Sequence, residues 1–525
     1  MIGVDCDLVI AGCGPVGAMA ANLAGQAGLS AVVIEEARQI YDRPRAIHFD
    51  AQIMRILQQA GLAEAVLPHT RVSERSTFYG ADSKIIRVHN WPVSTPYGWQ
   101  AHYMFYQPEL ERVLRAGLRR HEQVDVRLGV RVTGLAQHPS SVSVTTEDTV
   151  TGERGEITAR YLIGADGASS LVRSAVGVRL LDRNFDEQWL VVDVRTDLEL
   201  AGPNESEMFC DPARPSTRVP GPGNHHRWEF MLLPGESPED MQQPEAVLTL
   251  LKPWLRADDV EIIRASVYRF HALVADRWRA GRVFLAGDAA HQTPPFLGQG
   301  LCHGIRDGQN LILKIGAALA GGPADTLLDS YQAERRPHVE QIIDIAVTVG
   351  RDICLLDPVA AAERDQRMRN AAASGTEIQT TFQAVPPLHG GLFTATVGAG
   401  ELFPQPEVRV TDQASGDLAA RPTARFDDVV GAEPAIVAAP RAARELRDLA
   451  AELAMPLVST DAASAGTGHL VAVSGNLDGW LADRRATVAI VRPDRYVQGT
   501  TDDLGQAEAI ARDLRALLPA RRPGL

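Results

Sequence analysis

At 525 residues the chain is too long for one hydrophobic core, and with 45% hydrophobic residues it can fill two or three. A formal net charge of −14, from 52 basic and 66 acidic residues, argues against general affinity for nucleic acid or anionic membranes, and apolar runs such as Leu8–Gly12 and Leu311–Leu319 stop well short of a membrane span. Cys6, Cys13, Cys210, Cys302 and Cys354 form no CxxC pair and are odd in number, so reduced thiols, a cytoplasmic location and no metal site are expected.

The chain opens with an apolar strand (DLVIAG), a glycine turn (GCGPVG), a small-residue helix (AMAANLAGQAG) and a second strand (LSAVVIEE), which together make one βαβ unit. Gly12, Gly14 and Gly17 form GxGxxG directly after the first strand, and Glu35, followed by Glu36, ends the second. The first glycine permits a sharp turn, the second lets backbone approach a pyrophosphate, and the third lets helix and strand close together. The helix N-terminus adds unpaired N–H groups and positive potential. A carboxylate at Glu35 accepts ribose hydroxyls and repels a 2′-phosphate, which favours FAD or NAD over NADP without separating the first two.

Helices are expected over Asp50–Ala60 and Pro108–Arg120, the second from its Pro-first, apolar-periodic pattern. From Val124 to Ile163, alternating stretches read as antiparallel strands that end in YLIGADG, with Asp166 and Gly167 at the turn. LVVDVR, RWEFMLLP and IIRASVYRF, between Gln188 and Tyr268, suggest a separate sheet. The strand RVFLAGDAA then leads through Gly287 and Asp288 to a proline loop and the helix GIRDGQNLILKIGAALAG. The fold class is therefore α/β. It comprises a Rossmann-like nucleotide domain from residues 1–75, 100–180 and 275–350, a mixed β-sheet substrate domain from 76–99 and 181–274, a helical linker over 351–385, and a C-terminal α/β domain over 386–525.

GxGxxG, YLIGADGASSLVRSAVG and RVFLAGDAAHQTPPFLGQG, in this order, resemble the class A flavoprotein aromatic hydroxylases. PRAIHFD, WLVVDVR, CDPARP, RWEFMLLPGE and YQAERRP are similar to the 3-(3-hydroxyphenyl)propionate hydroxylase branch, so the resemblance covers roughly Asp7 to Arg351. It implies a non-covalent FAD, NADH or NADPH as co-substrate, dioxygen, and hydroxylation of a small phenolic substrate through a flavin C4a-hydroperoxide. It further implies that Asp288 binds the ribitol or ribose side and that Asp166 and Gly167 lie near the pyrophosphate and the nicotinamide path. Arg45 and Gln107 would touch the cofactor. Pro294, Pro295, Gly298, Gly300 and Leu301 would run along the isoalloxazine, where helix N–H groups can stabilise charge on the reduced ring.

His48, Tyr103, Arg214, Arg218, His225 and Arg227 are the candidate substrate-facing residues, with arginines to hold a carboxylate and a histidine, His48 foremost, to relay the phenolic proton. Each also has a plainer reading as a surface charge or a satisfied strand residue. Where the family commonly has an asparagine after Gly300, this chain reads Leu301-Cys302-His303, and a buried packing thiol is the simpler account of Cys302. The C-terminal part resembles the thioredoxin-like domain of the larger phenol hydroxylases, but no cysteine follows Cys354, which excludes dithiol exchange. A class A enzyme of secondary metabolism, hydroxylating a polyketide ring or performing Baeyer–Villiger oxygenation, and a non-catalytic nucleotide sensor stay open as alternatives, as does a homodimer.

Overall fold

Cys6–Ala11 and Ala31–Glu35 are almost continuously apolar, the pattern a strand needs when helices cover both faces of its sheet. In the computed structural model, which describes residues 3–42, 45–92, 94–374, 385–411, 423–461 and 469–519, they pair in parallel. The full parallel order is Val283–Leu285, Arg154–Gly164, Cys6–Ala11, Ala31–Glu35, Val124–Leu128. The last strand corrects the expectation that the antiparallel set begins at Val124. Helix Gln107–Leu118 carries the chain back to the start of the sheet, so Val124–Leu128 enters parallel. Only Val130–Gln137, Val142–Asp148 and the first half of Arg154–Gly164 form the antiparallel meander. Helices Pro15–Gln26 and Gly300–Leu319 lie against each other through small residues: a Cβ on Gly308 would touch that of Ala20 at 3.4 Å.

A second sheet of eight strands is built on the long antiparallel pair Leu180–Arg195 and Glu261–Ala275. One face, with Leu190, Val192, Val194, Trp228 and Phe230, is closed by Val247 and Leu251 of helix Pro244–Leu251. The other, with Trp189, Met231 and Phe78, packs on Leu297 and on Ile342 and Ala346 of helix Ala324–Ile353. His291–Gln292, just beyond Asp288, adds to the edge of this sheet beside Leu273 and Val274, which joins the two domains by main chain. Three short strands, His48–Asp50, Thr70–Val72 and His102–Phe105, form a bridge between them.

The C-terminal region forms a seven-stranded mixed sheet flanked by helices. Its apolar face, with Ile436, Ile490, Ile510 and Leu514, clusters with Ala317 and Leu327 of the first domain's helices. Arg43 and Pro44 of the RPRAIHFD stretch, and residues 375–384 of the expected linker, lie outside the described residues. Among the described residues no helix is long and apolar enough to cross a membrane, and the five cysteines are free thiols.

One buried ionic cluster crosses this boundary. Glu334 pairs with Lys314 at 2.8 Å and with Arg492 at 3.0 Å, and Arg492 also pairs with Asp494 at 2.6 Å. Burial opposes the Glu334 charge, but Arg492 and Lys314 outweigh it and hold the carboxyl far below its ordinary value of 4.5. A carboxylate lowered in this way contributes stability that is present above its unfolded value and is lost as pH falls below it. Glu334→Gln should therefore cost about 3–5 kcal/mol at neutral pH, by leaving two buried cations with one acid. Its melting temperature should also fall less steeply than the parent's below pH 4.5. Parallel curves of melting temperature against pH would show that the cluster has no such role.

Candidate active site

Main-chain hydrogen bonds stitch together the carboxyl ends of the parallel strands. Gly12 N donates to Ile34 O at 2.7 Å, Ala165 N to Ala11 O at 2.8 Å, and Ala286 N to Gly164 O at 3.0 Å. The three glycine turns are thereby neighbours. Gly12 has φ +98°, and a Cβ there would collide with Ala165 O; a Cβ on Gly17 would collide with Gly12 O. Gly287 has φ +60° and packs on Val16, where a Cβ would come within 3.0 Å. By contrast, a Cβ on Gly14, Gly167 or Gly300 would meet nothing within 4 Å. The first group of glycines closes the fold, and the second group faces open space at the strand ends, where ligands of open α/β sheets bind.

The residues around that space suit a dinucleotide. Helices Pro15–Gln26 and Gly300–Leu319 both begin without a side-chain cap, so their first N–H groups point outward, whereas Asp50 caps helix Ala51–Gln59 through Gln52 N and Ile53 N. Asp288 makes no hydrogen bond to the described residues and stays solvent-exposed. Surrounding protein nevertheless raises its pKa, against the charges of His291 and Arg45. A carboxylate that is both crowded and accessible belongs to a cleft, and its unfilled acceptors suit sugar hydroxyls.

Other expected cofactor residues are already engaged by protein. Glu35 accepts from Cys13 N at 2.8 Å and Ala37 N at 2.9 Å, so it fastens the glycine loop as well as facing its end; Glu36 is exposed. Gln107 accepts from Arg45 N and Ala46 N at 3.1 and 2.7 Å and donates to Glu111 at 2.8 Å. It holds the Arg45 segment in place, with its Oε1 and one of its two amide N–H groups taken up by protein. Asp166 braces the start of helix Leu171–Ala175, accepting from the hydroxyl of its N-cap Ser170 at 2.5 Å and from Val172 N at 3.0 Å, and so shapes its turn.

Pro294 leads into a single 3₁₀ turn, Pro295–Leu297, which Gly298 ends in the left-handed region at φ 62°. Gln299 then starts the long helix, with Leu301 half-buried in its first turn. Gln299 donates to Asp50 at 3.1 Å and accepts from Arg306 at 2.9 Å, and Arg306 salt-bridges Asp50 and donates to Gln52 at 2.7 Å. Cys302 is fully buried against the carbonyls of Gly298 and His48, and burial pushes its thiol pKa up, so it packs and does not react.

His48 lies on Gly298, its Nδ1 3.3 Å from the carbonyl, while its Nε2 is 2.7 Å from His102 Nδ1. Burial lowers both imidazoles, His102 to about 3, so the pair is neutral near pH 7. If Nδ1–H of His48 donates to the Gly298 carbonyl, its Nε2 must accept from His102, which fixes both tautomers in series.

The sheet face that carries Trp189, Val191 and Asp193 looks toward this loop, with Glu229 and Arg227 opposite Val191 and Asp193. Asp193 is fully buried and accepts from His225 at 2.9 Å and from Arg227 at 2.9 and 3.1 Å. Burial works against its charge, yet Arg227 and His225 keep its pKa low. Arg227 therefore reaches the site wall already paired with Asp193, His225 is hydrogen-bonded to the same carboxylate, and Arg227 also donates to Arg45 O at 2.7 Å.

Three substrate expectations need correction. Arg214 is tied to Glu236 and to Met231 O. Arg218 pairs with Glu207 and sits opposite Trp228, on the face covered by helix Pro244–Leu251. Tyr103 stacks on Phe49 in the core and accepts from Gln100 N, because strand alternation gives the site side to its neighbour His102. His102, Arg306 and Glu229 went unnoticed in the sequence, although alternation from Arg227 puts Glu229 on the same face.

A family model described as an FAD binding domain matches residues 5–346, and one described as the HcaD C-terminal domain matches residues 400–517. The chain is 34% identical over 526 residues to a probable NADH-specific resorcinol 4-hydroxylase of Rhodococcus jostii, covering 98% of this chain and 96% of that one. It is 34% identical over 528 residues to a 3-(3-hydroxy-phenyl)propionate/3-hydroxycinnamic acid hydroxylase of Burkholderia cenocepacia, covering 96% and 95%. Among solved structures, the flavin-dependent monooxygenase PieE in complex with FAD and substrate superposes with a TM-score of 0.82 at 21% identity, over 98% of this chain and all of that one. Aklavinone-11 hydroxylase with FAD and aklavinone gives 0.76 at 22% identity, over 99% of this chain and all of that one.

Asp288→Ala should purify with well under a tenth of the parent's bound flavin, read from the ratio of visible to ultraviolet absorbance; a full yellow complement would remove Asp288 from the cofactor site.

Proposed function

The chain belongs to the FAD-binding family of flavoprotein aromatic hydroxylases and is an FAD-dependent aromatic-ring monooxygenase, and we propose that its substrate is a phenol bearing a second substituent meta to the hydroxyl, with NADH as reductant. The observation that carries this reading is the convergence of three glycine turns and two uncapped helix N-termini beside an apolar sheet face. The meta pattern is common to resorcinol and 3-(3-hydroxyphenyl)propionate, the compounds in the names of the two relatives, and the first of these is named NADH-specific.

In this reading Gly12, Gly14 and Gly17 approach the FAD pyrophosphate, Glu35 and Asp288 take sugar and ribityl hydroxyls, Arg45 and the Asp166–Gly167 turn flank the phosphates, and Pro294–Leu301 lies along the ring system. Bound FAD supplies the redox chemistry, taking hydride from the nicotinamide and activating dioxygen so that one oxygen atom reaches the substrate ring. The protein's own tasks are electrostatic and steric. The open N–H groups of Gly300 and Leu301 stabilise negative charge on the reduced cofactor. Trp189, Phe270 and Phe296, whose ring centroids lie 5.7–6.1 Å apart, back the Pro295–Leu297 turn with packed aromatic rings and hold it rigid. The His48–His102 pair, neutral near pH 7, keeps the Gly298 carbonyl fixed beside the reacting ring.

Resorcinol and 3-(3-hydroxyphenyl)propionate, each added to the flavin-loaded enzyme with NADH in air, test the reading. At least one should accelerate NADH consumption tenfold or more, with oxygen uptake and a product heavier by one oxygen atom, and NADPH should serve less well. NADH oxidation that no monocyclic phenol stimulates would overturn it.

A further inference from the structure

The RWEFMLLPGE segment contains one acid that neither cofactor binding nor domain packing accounts for. Glu229 lies on strand His225–Met231, paired on one side with Val191 and on the other with Thr217. Its neighbours on the same face mark where it points. Met231, two residues on, clusters with Leu297 of the flavin-side loop, and Arg227, two residues back, donates to Arg45 O at 2.7 Å. Two strand residues span about 7 Å. Glu229 therefore sits midway along the wall between the loop and the Arg45 segment, which is the gap a flavin ring and its substrate must share.

Its contacts leave acceptor capacity unused. Thr217 Oγ1 donates to Oε2 at 3.2 Å and is the sole hydrogen-bond partner of the carboxylate among the described residues. The nearest cation, Arg227, stands 3.9 Å from Oε1, beyond hydrogen-bond reach, and is engaged by Asp193 and Arg45 O. Arg264, the next cation on this face, lies over the Tyr268 ring at 4.5 Å and 4.0 Å from Asp193. Yet 15% of the Glu229 side chain remains accessible, while Arg227 beside it is only 3% exposed. Like Asp288, Glu229 is crowded by protein and still open to a cleft. Burial and Asp193 push its pKa up against Arg227, the Thr217 hydroxyl and Arg264.

Resting on the phenol reading above, we propose that Glu229 is a catalytic residue that accepts the hydrogen bond of the substrate's ring hydroxyl and takes up its proton as the ring is oxygenated. In that step the substrate O–H bond breaks and a carboxyl O–H bond forms. The electron pair left on the ring oxygen moves to the ortho and para carbons, the positions that attack the incoming oxygen. When the ring regains aromaticity the carbon-bound proton passes to the second oxygen atom of dioxygen, which departs as water, and Glu229 returns its own proton to the original oxygen, so the residue ends as it began. A carboxylate whose pKa lies above the ordinary range is a better match to this task than a free one, since a phenol near pKa 10 gives up its proton only reluctantly.

The test compares the flavin-loaded parent with Glu229→Gln and Glu229→Asp, using resorcinol and 3-(3-hydroxyphenyl)propionate over pH 5–9. Gln should lower kcat/KM for the better substrate by about a hundredfold and abolish the acid limb of its pH profile, because that limb reports a carboxylate that must be ionised. Asp should show an acid limb displaced in pH and lose about tenfold. If Gln fails to retain flavin, Asp alone decides: a rate loss with a displaced limb supports the role, and parent-like rates with an unmoved limb overturn it. Parent-like kinetics in Gln likewise overturn it while leaving the phenol reading intact. A parent enzyme that no phenol stimulates sinks both.

Discussion

The site exists because three polypeptide turns can approach one another to main-chain contact. At Gly12 and Gly17 a single methyl group would strike a carbonyl oxygen, and at Gly287 it would press on Val16, so the strand ends close only with glycine there. That closure aligns two helix N-termini on one opening and leaves the backbone N–H groups without side-chain caps. Asp288 follows Gly287 directly, and the Pro294–Gly300 turn leads into the second of these helices. The main-chain link from His291–Gln292 to Leu273 and Val274 keeps that sheet in register with the turn that carries Asp288.

Charge inside the protein is almost everywhere balanced in place, and this decides which polar groups are free to act. Asp307, buried behind the glycine turn, takes His291 at 2.7 Å, Arg335 at 2.9 Å and Gly287 N at 3.2 Å, so it braces the turn from within. Asp193 does the same for His225 and Arg227. A buried ion stripped of its partner would be costly, and a buried cation that already has one has little left to offer a substrate anion. Asp288 and Glu229 differ because crowding raises their pKa values while part of each side chain stays open.

The glycine spacing, the terminal acid Glu35 and the order of the three motifs carried the cofactor fold, since each turn demands a residue type that can be read directly. The parallel entry of Val124–Leu128 was hidden, because its alternating pattern does not distinguish an edge of a parallel sheet from a hairpin. Substrate residues were harder still. Arg214, Arg218 and Tyr103 have suitable chemistry, but their partners Glu236, Glu207 and Phe49 are distant or face-dependent choices that no local pattern reveals. The strand period alone would have exchanged Tyr103 for His102 and added Glu229 to Arg227, had the facing been known at one position.

The C-terminal domain, which lacks any cysteine, gains a physical rationale from the same contacts. Tyr496 accepts a hydrogen bond from Gln52 at 2.8 Å; Gln52 in turn accepts from Arg306, and Arg306 holds both Gln299 and Asp50. Arg55, from the same helix as Gln52, is paired with Asp427, which Arg495 also meets at 3.0 Å. Buried pairs of this kind add little net stability over apolar packing, but they penalise any docking that separates them. The domain is thus held in one orientation, and through Tyr496 that orientation bears on the loop beside Gly298. Gln52 and Arg306 are the connection, so a shift of the domain would strain Gln299 and Asp50 beside Gly298.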